Sequence, residues 1–177
     1  MNVNAHAIDL HPHPDTPGAR VDAIRVALTL AGQRLRLVYT LRGDIAGLRL
    51  PSPGPARRSD GLWRHSCMEA FIQTGPSAYV EYNFAPSGAW AAYAFDAYRQ
   101  GMRPLETPPP DIDLRRLPGR IELSGQVDLP PAVCVQRIAL AAVIEDQDGT
   151  IAYWAIRHPP GRPDFHHADG FALRLSA

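Results

Sequence analysis

Eighteen prolines in 177 residues, most of them gathered into clusters, cut this chain into segments too short for most helices. The clusters fall at 12–17, 51–55, 104–110, 130–131 and 159–163. Proline fixes φ and removes a backbone donor, so each cluster ends whatever regular structure precedes it. Runs of alternating polar and apolar character lie between them, at 21–30, 34–41, 64–73, 79–85, 90–98, 120–128, 133–145, 150–156 and 170–175. About nine β-strands are therefore predicted. Ala31-Gly32-Gln33, Ala85-Pro86-Ser87-Gly88 and Asp146-Gln147-Asp148-Gly149 each place a glycine where a hairpin needs positive φ. Short strands joined in this way, with no sustained helical period, predict an all-β fold: a two-sheet antiparallel β-sandwich of immunoglobulin-like or jelly-roll form. The alanine-rich text of 90–101 can also carry a short helix over 96–102, and 104–119 reads as a long proline-rich loop. Residues 1–20 read as an N-terminal extension and 21–177 as a single domain.

Charge excludes some partners. Eighteen basic and eighteen acidic residues balance, so there is no electrostatic footprint for nucleic acid or an anionic membrane. Every basic residue is arginine, a bias expected of a GC-rich bacterial genome, and arginine's planar fork suits oxygen ligands. Cys67 and Cys134 each lie in an apolar strand-like run and read as buried thiols rather than as a disulfide framework. The first twenty residues lack a basic start followed by an apolar stretch, so a cytoplasmic location is expected.

Function concentrates between Trp63 and Arg103, which holds nine of the 14 aromatic residues. Strand alternation sorts this block. In 79–85, Val80, Tyr82 and Phe84 make a core face, which leaves Tyr79, Glu81 and Asn83 on the other. In 64–73, His65, Cys67, Glu69 and Phe71 share one face, while Met68, Ala70 and Ile72 share the opposite one. If the two strands are hairpin neighbours, Glu69 comes beside Glu81 or Asn83. A carboxylate next to an amide can accept from and donate to sugar hydroxyls, while Trp63 offers a ring face for stacking. Arg99 or His166 can close such a site. The plainer alternatives are a solvated strand face and a buried polar network joining Glu69, Glu81 and His166.

No metal is expected: the adjacent pair His166-His167 and the His11-Pro12-His13 text lack the spacing of a ligand set. No G-x-S-x-G, P-loop or H-E-x-x-H occurs, so catalysis is not indicated, although Glu69 and Glu81 leave a glycosidase-like carboxylate pair open.

Asp60-Gly61-Leu62-Trp63, Glu69-Ala70-Phe71-Ile72, the block Tyr79-Val80-Glu81-Tyr82-Asn83-Phe84-Ala85-Pro86-Ser87-Gly88 with Trp90, and Asp164-Phe165-His166 with Phe171 together resemble the DOMON-like proteins. That superfamily includes the family 9 carbohydrate-binding modules. The resemblance runs from about Val21 to Leu175. It implies a β-sandwich with a ligand site for a sugar or a haem, and it carries the sugar role onto Trp63, Glu69, Glu81, Asn83, Asp164 and His166. For haem it leaves Met68 or Met102 with His65, His158 or His166 as axial ligands. The leading expectation is thus a non-catalytic module for a small polar ligand, a carbohydrate or sugar derivative. A haem-binding module and a glycoside hydrolase using Glu69 and Glu81 are the alternatives.

Overall fold

The computed structural model describes residues 3–18, 20–131, 133 and 135–175. Cys134, and with it any bridge to Cys67, lies outside the described residues. Thirteen strands run through the described residues: β1 (Val3–Pro12), β2 (Val21–Ala31), β3 (Arg34–Gly43), β4 (Arg57–Arg58), β5 (Cys67–Gln73), β6 (Tyr79–Phe84), β7 (Ala89–Phe95), β8 (Arg103–Pro104), β9 (Asp111–Leu117), β10 (Arg120–Asp128), β11 (Arg137–Glu145), β12 (Ile151–Ala155) and β13 (Leu173–Arg174). The fold is all-β; the described residues contain no α-helix, only short 3-10 turns.

Strand pairing follows one continuous path, β4-β7-β6-β5-β11-β12-β1-β2-β3-β10-β9, with β13 on β11 and β8 on β7. Two separate sheets were expected from the sequence, and β1 is the reason they are not separate. Its residues pair with β2 from Val3↔Ala31 to Leu10↔Ile24, and its last two pair with β12 through His11↔Ala155 and Pro12↔Trp154. The curled path folds over one core, with Val26, Leu28, Leu37 and Leu123 from one half and Met68, Ile72, Tyr82, Phe84 and Leu140 from the other. The Tyr39 hydroxyl of β3 crosses that core to donate to the Glu69 carbonyl of β5 at 2.8 Å, so the halves are tied by a buried bond as well as by apolar contact.

The three predicted hairpins form, with Gly32, Gly88 and Gly149 at φ of 61°, 83° and 88°. Pairing is antiparallel except for the short parallel match of β4 with β7. Thirteen strands replace the expected nine because short or atypical ones were hidden. The supposed extension at 1–20 contains β1, whose Ile8 and Leu10 pack toward the core while Ala7 and Asp9 face solvent. The supposed loop at 104–119 contains β9, an edge strand against β10. No helix forms over 96–102. A tight turn replaces it, held by the Ala97↔Gln100 bridge, with Arg99 at φ 54°.

Candidate functional site

Strand alternation sends Met68, Ala70 and Ile72 of β5 into the main core and turns Glu69 and Phe71 to the other face of the sheet. On β6 the same rule sends Val80, Tyr82 and Phe84 inward and turns Tyr79, Glu81 and Asn83 outward. Register then sets Glu69 opposite Asn83, and Glu81 between Phe71 and Tyr93. Glu69 and Glu81 are thus diagonal neighbours on adjacent strands. Alanines flank them, Ala141 beside Glu69 and Ala91 beside Asn83, so little bulk rises from the sheet around the carboxylates.

This outer face is not solvated. Glu69 is 2% exposed, Glu81 5% and Asn83 0%. The chain from Arg157 to Phe171 passes over the sheet and covers it. Two histidines fasten that segment to the end of the N-terminal strand: His13 Nε2 meets the Gly161 carbonyl at 2.9 Å, and His158 Nε2 meets the His11 carbonyl at 2.8 Å.

Between the covering segment and the sheet lies a cleft of about 550 Å³. Glu69, Glu81, Tyr93, Phe95 and Val143 form its base. Tyr153, Arg162, Pro163, Phe165 and His166 line it as well, with Trp63, Arg99 and Met102. Trp63 stands on the short turn Leu62–Arg64, entered through Gly61 at φ 75°, and remains 42% exposed at the rim. Of the residues singled out from the sequence, Trp63, Glu69, Glu81, Arg99 and His166 line this cleft. Asn83 lies beneath it, donating from Nδ2 to Glu81 Oε1 at 2.7 Å. Asp164 lies behind the rim, accepting from Arg99 Nη2 at 2.8 Å, from the Tyr98 hydroxyl at 2.6 Å and from the His166 backbone N–H at 3.1 Å.

A relay fixes His166. The Arg99 backbone N–H donates to the Tyr79 hydroxyl at 3.2 Å, and that hydroxyl is hydrogen-bonded to His166 Nδ1 at 2.8 Å. The other ring nitrogen, Nε2, faces Glu81 Oε2 at 3.9 Å. Burial, helped by the Arg99 charge and opposed by Asp164, lowers the His166 pKa to about 4, so the ring is neutral near pH 7. Burial raises Glu81 to about 7 against the hydrogen bond from Asn83 and the charge of Arg99. Glu69 is pushed well above the ordinary carboxylate range, first by burial and then by Glu81. Its Oε1 atom is buried with no hydrogen-bond partner, so the buried polar network envisaged from the sequence is incomplete at this atom. Asp164 behaves oppositely: burial would raise it, but the hydrogen bonds from Tyr98 and Arg99 outweigh that and hold it low.

Sequence reasoning missed Tyr93, Phe95, Tyr153 and Arg162. Tyr93 and Phe95 were within reach, since alternation along β7 puts them on one face with Ala91. Tyr153 depended on β12 lying beside β11. Of the proposed haem ligands, Met68 is buried in the main core on the far side of β5. His65 is engaged by Glu145 at 2.8 Å, and His158 by His11. Met102 and His166 both line the cleft.

A scan against protein-family models gives no match, and neither does a comparison with curated protein sequences. Among solved structures, the chain is similar to a crystal structure described as a "putative carbohydrate-binding protein from Bacteroides uniformis", at 14% identity and a TM-score of 0.63. The match covers 96% of this chain and 84% of the other. It is a likeness of fold.

Proposed function

We propose that this chain is a non-catalytic binding module of DOMON-like kind, in which the two halves of the curled sheet act as the layers of a β-sandwich and the cleft holds a carbohydrate or sugar derivative. The observation that carries this reading is the combination within one cleft: ring faces from Trp63, Tyr93, Phe95, Tyr153 and Phe165 around two buried carboxylates, one with an unpartnered oxygen. Rings accept the C–H faces of a sugar, and carboxylates accept its hydroxyls. The volume falls within the range of small-molecule sites. The fold likeness to a protein described as carbohydrate-binding supports the same reading. Trp63 stacks at the rim, Glu69 and Glu81 accept hydrogen bonds, Asn83 orients Glu81, and Arg99, Asp164 and His166 hold the closing side.

Trp63→Ala is expected to weaken binding of a retained glycan about tenfold, the loss of one stacking face, and Glu81→Ala to weaken it at least as much. Glycan-array screening followed by calorimetry on the hit checks both. Unchanged affinity in both variants would remove the cleft from the assignment.

One observation favours hydrolysis as a second reading. Glu69 and Glu81 are diagonal neighbours whose carboxyls are both raised by burial, Glu81 to about 7 and Glu69 further by Glu81 itself, the setting in which two carboxyls divide the roles of acid and base or nucleophile. Turnover of aryl glycosides that disappears in Glu69→Gln would establish it over simple binding.

A further inference from the structure

The base of the cleft is rich in acceptors and poor in positive charge. Glu69 Oε1 has no partner, although the residue is almost wholly buried. Glu81 Oε1 is satisfied by Asn83, but Oε2 has only the His166 ring at 3.9 Å, beyond hydrogen-bond reach. The groups that face the pair are the His166 imidazole, the phenols of Tyr79, Tyr93 and Tyr153, the Cys67 thiol, and the rim guanidiniums of Arg99 and Arg162. Arg99 spends its Nη2 on Asp164. Among the described residues no arginine comes within ion-pair distance of either buried carboxylate. Two adjacent buried carboxylates without a counter-ion are costly to ionise, so in the absence of a bound cation the pair favours retaining a proton.

We propose that the cleft selects an organic ammonium and, resting on the carbohydrate reading above, that its ligand is an amino sugar whose charged nitrogen sits between Glu69 and Glu81. A hydroxyl brings one donor to this base, whereas an ammonium brings three, enough for Glu69 Oε1, the second Glu69 oxygen and Glu81 Oε2. It also supplies the missing positive charge. Tyr93 and Phe95 at the base and Trp63 at the rim supply aromatic surface that attracts a cation as well as stacking on the sugar. As the ammonium enters, a proton held by the carboxylate pair leaves to the buffer, so binding is accompanied by proton release. A neutral sugar at the same place displaces no such proton.

The experiment is isothermal titration calorimetry on the full chain near pH 7, repeated in two buffers of different ionisation enthalpy. The ligands are the methyl glycosides of glucose, galactose and mannose, each carrying a hydroxyl, an amino or an N-acetylamino group at C2, with choline as an ammonium that is not a sugar. The expected result is a C2-amino sugar bound about tenfold or more tightly than its hydroxyl counterpart, with proton release, and a preference that falls toward one in Glu69→Gln. A cooperative thermal melt of that variant confirms that it is folded. If hydroxyl or N-acetyl sugars bind as well as the amine, or if Glu69→Gln keeps the preference, the ammonium inference is overturned while the carbohydrate reading stands. If choline binds and no sugar does, the carbohydrate reading fails and ammonium selectivity remains. If none of these ligands binds, both are overturned.

Discussion

Glu81→Gln is expected to be more stable than the parent protein at about pH 8, by about 3 kcal/mol of unfolding free energy, and to lose that advantage by about pH 4.5. The ordinary value of 4.5 applies in the unfolded chain, whereas burial raises the folded value to about 7. Between those values the folded protein holds a proton that the unfolded chain has released. Stability from this group is therefore complete below 4.5 and is lost as pH rises through 7. Glutamine carries no charge to desolvate, and its oxygen can still accept from Asn83 Nδ2. Glu69, raised in the same direction, adds to the parent's loss as pH rises. His166 works against both: its folded value of about 4 lies below the ordinary 6.5, so its contribution is present above 6.5 and lost as pH falls through 4. The difference between variant and parent removes that shared histidine contribution and leaves Glu81 together with the part of the Glu69 shift that Glu81 causes. Urea unfolding of both proteins at several pH values measures it. A difference that does not change with pH would mean that the Glu81 carboxyl titrates normally in the folded state.

The same carboxylate shows how far the sequence could be read. Alternation within Tyr79–Phe84 and Cys67–Gln73 is enough to put Glu69, Glu81 and Asn83 on one face, because a strand has only two faces and Val80, Tyr82, Phe84, Met68 and Ile72 claim the other. The burial of that face is a different matter. Its cover is the irregular run from Arg157 to Phe171, which has no periodicity and is positioned by histidine contacts from an N-terminal strand nearly 150 residues away in sequence. Local pattern carries no information about such a pairing. β1 escaped detection because Ala5 and Ala7 are weak strand formers and His11-Pro12-His13 reads as a loop. β9 escaped because Pro108-Pro109-Pro110 precedes it and its outward residues are charged, as suits an edge strand. The hairpins were legible because a glycine at positive φ is a local requirement.

Phe84→Ala should lower stability by about 3–5 kcal/mol, and a second substitution at Gly125 should recover part of the loss. Phe84 is fully buried at the end of β6, its ring parallel to that of Tyr82 with centroids 6.3 Å apart. Gly125 lies across the core in the middle of β10, where a methyl group would come within 2.9 Å of two carbons of the Phe84 ring. Its φ is not positive, so this glycine serves close approach and not backbone freedom. In the parent, Gly125→Ala is therefore an overpacking change costing about 1–3 kcal/mol. In Phe84→Ala the same methyl enters vacated space, and its cost should vanish or reverse. Urea unfolding of the four proteins in this double-mutant cycle measures the coupling. Additive effects would show that Phe84 and Gly125 do not share a contact. The consequence reaches the cleft, because Phe84 directly follows Asn83 on β6 and points the opposite way. Packing at Phe84 holds the strand that presents Glu81 and Asn83, so Phe84→Ala should also weaken ligand binding without touching the cleft, and Gly125→Ala should restore part of that affinity alongside part of the stability.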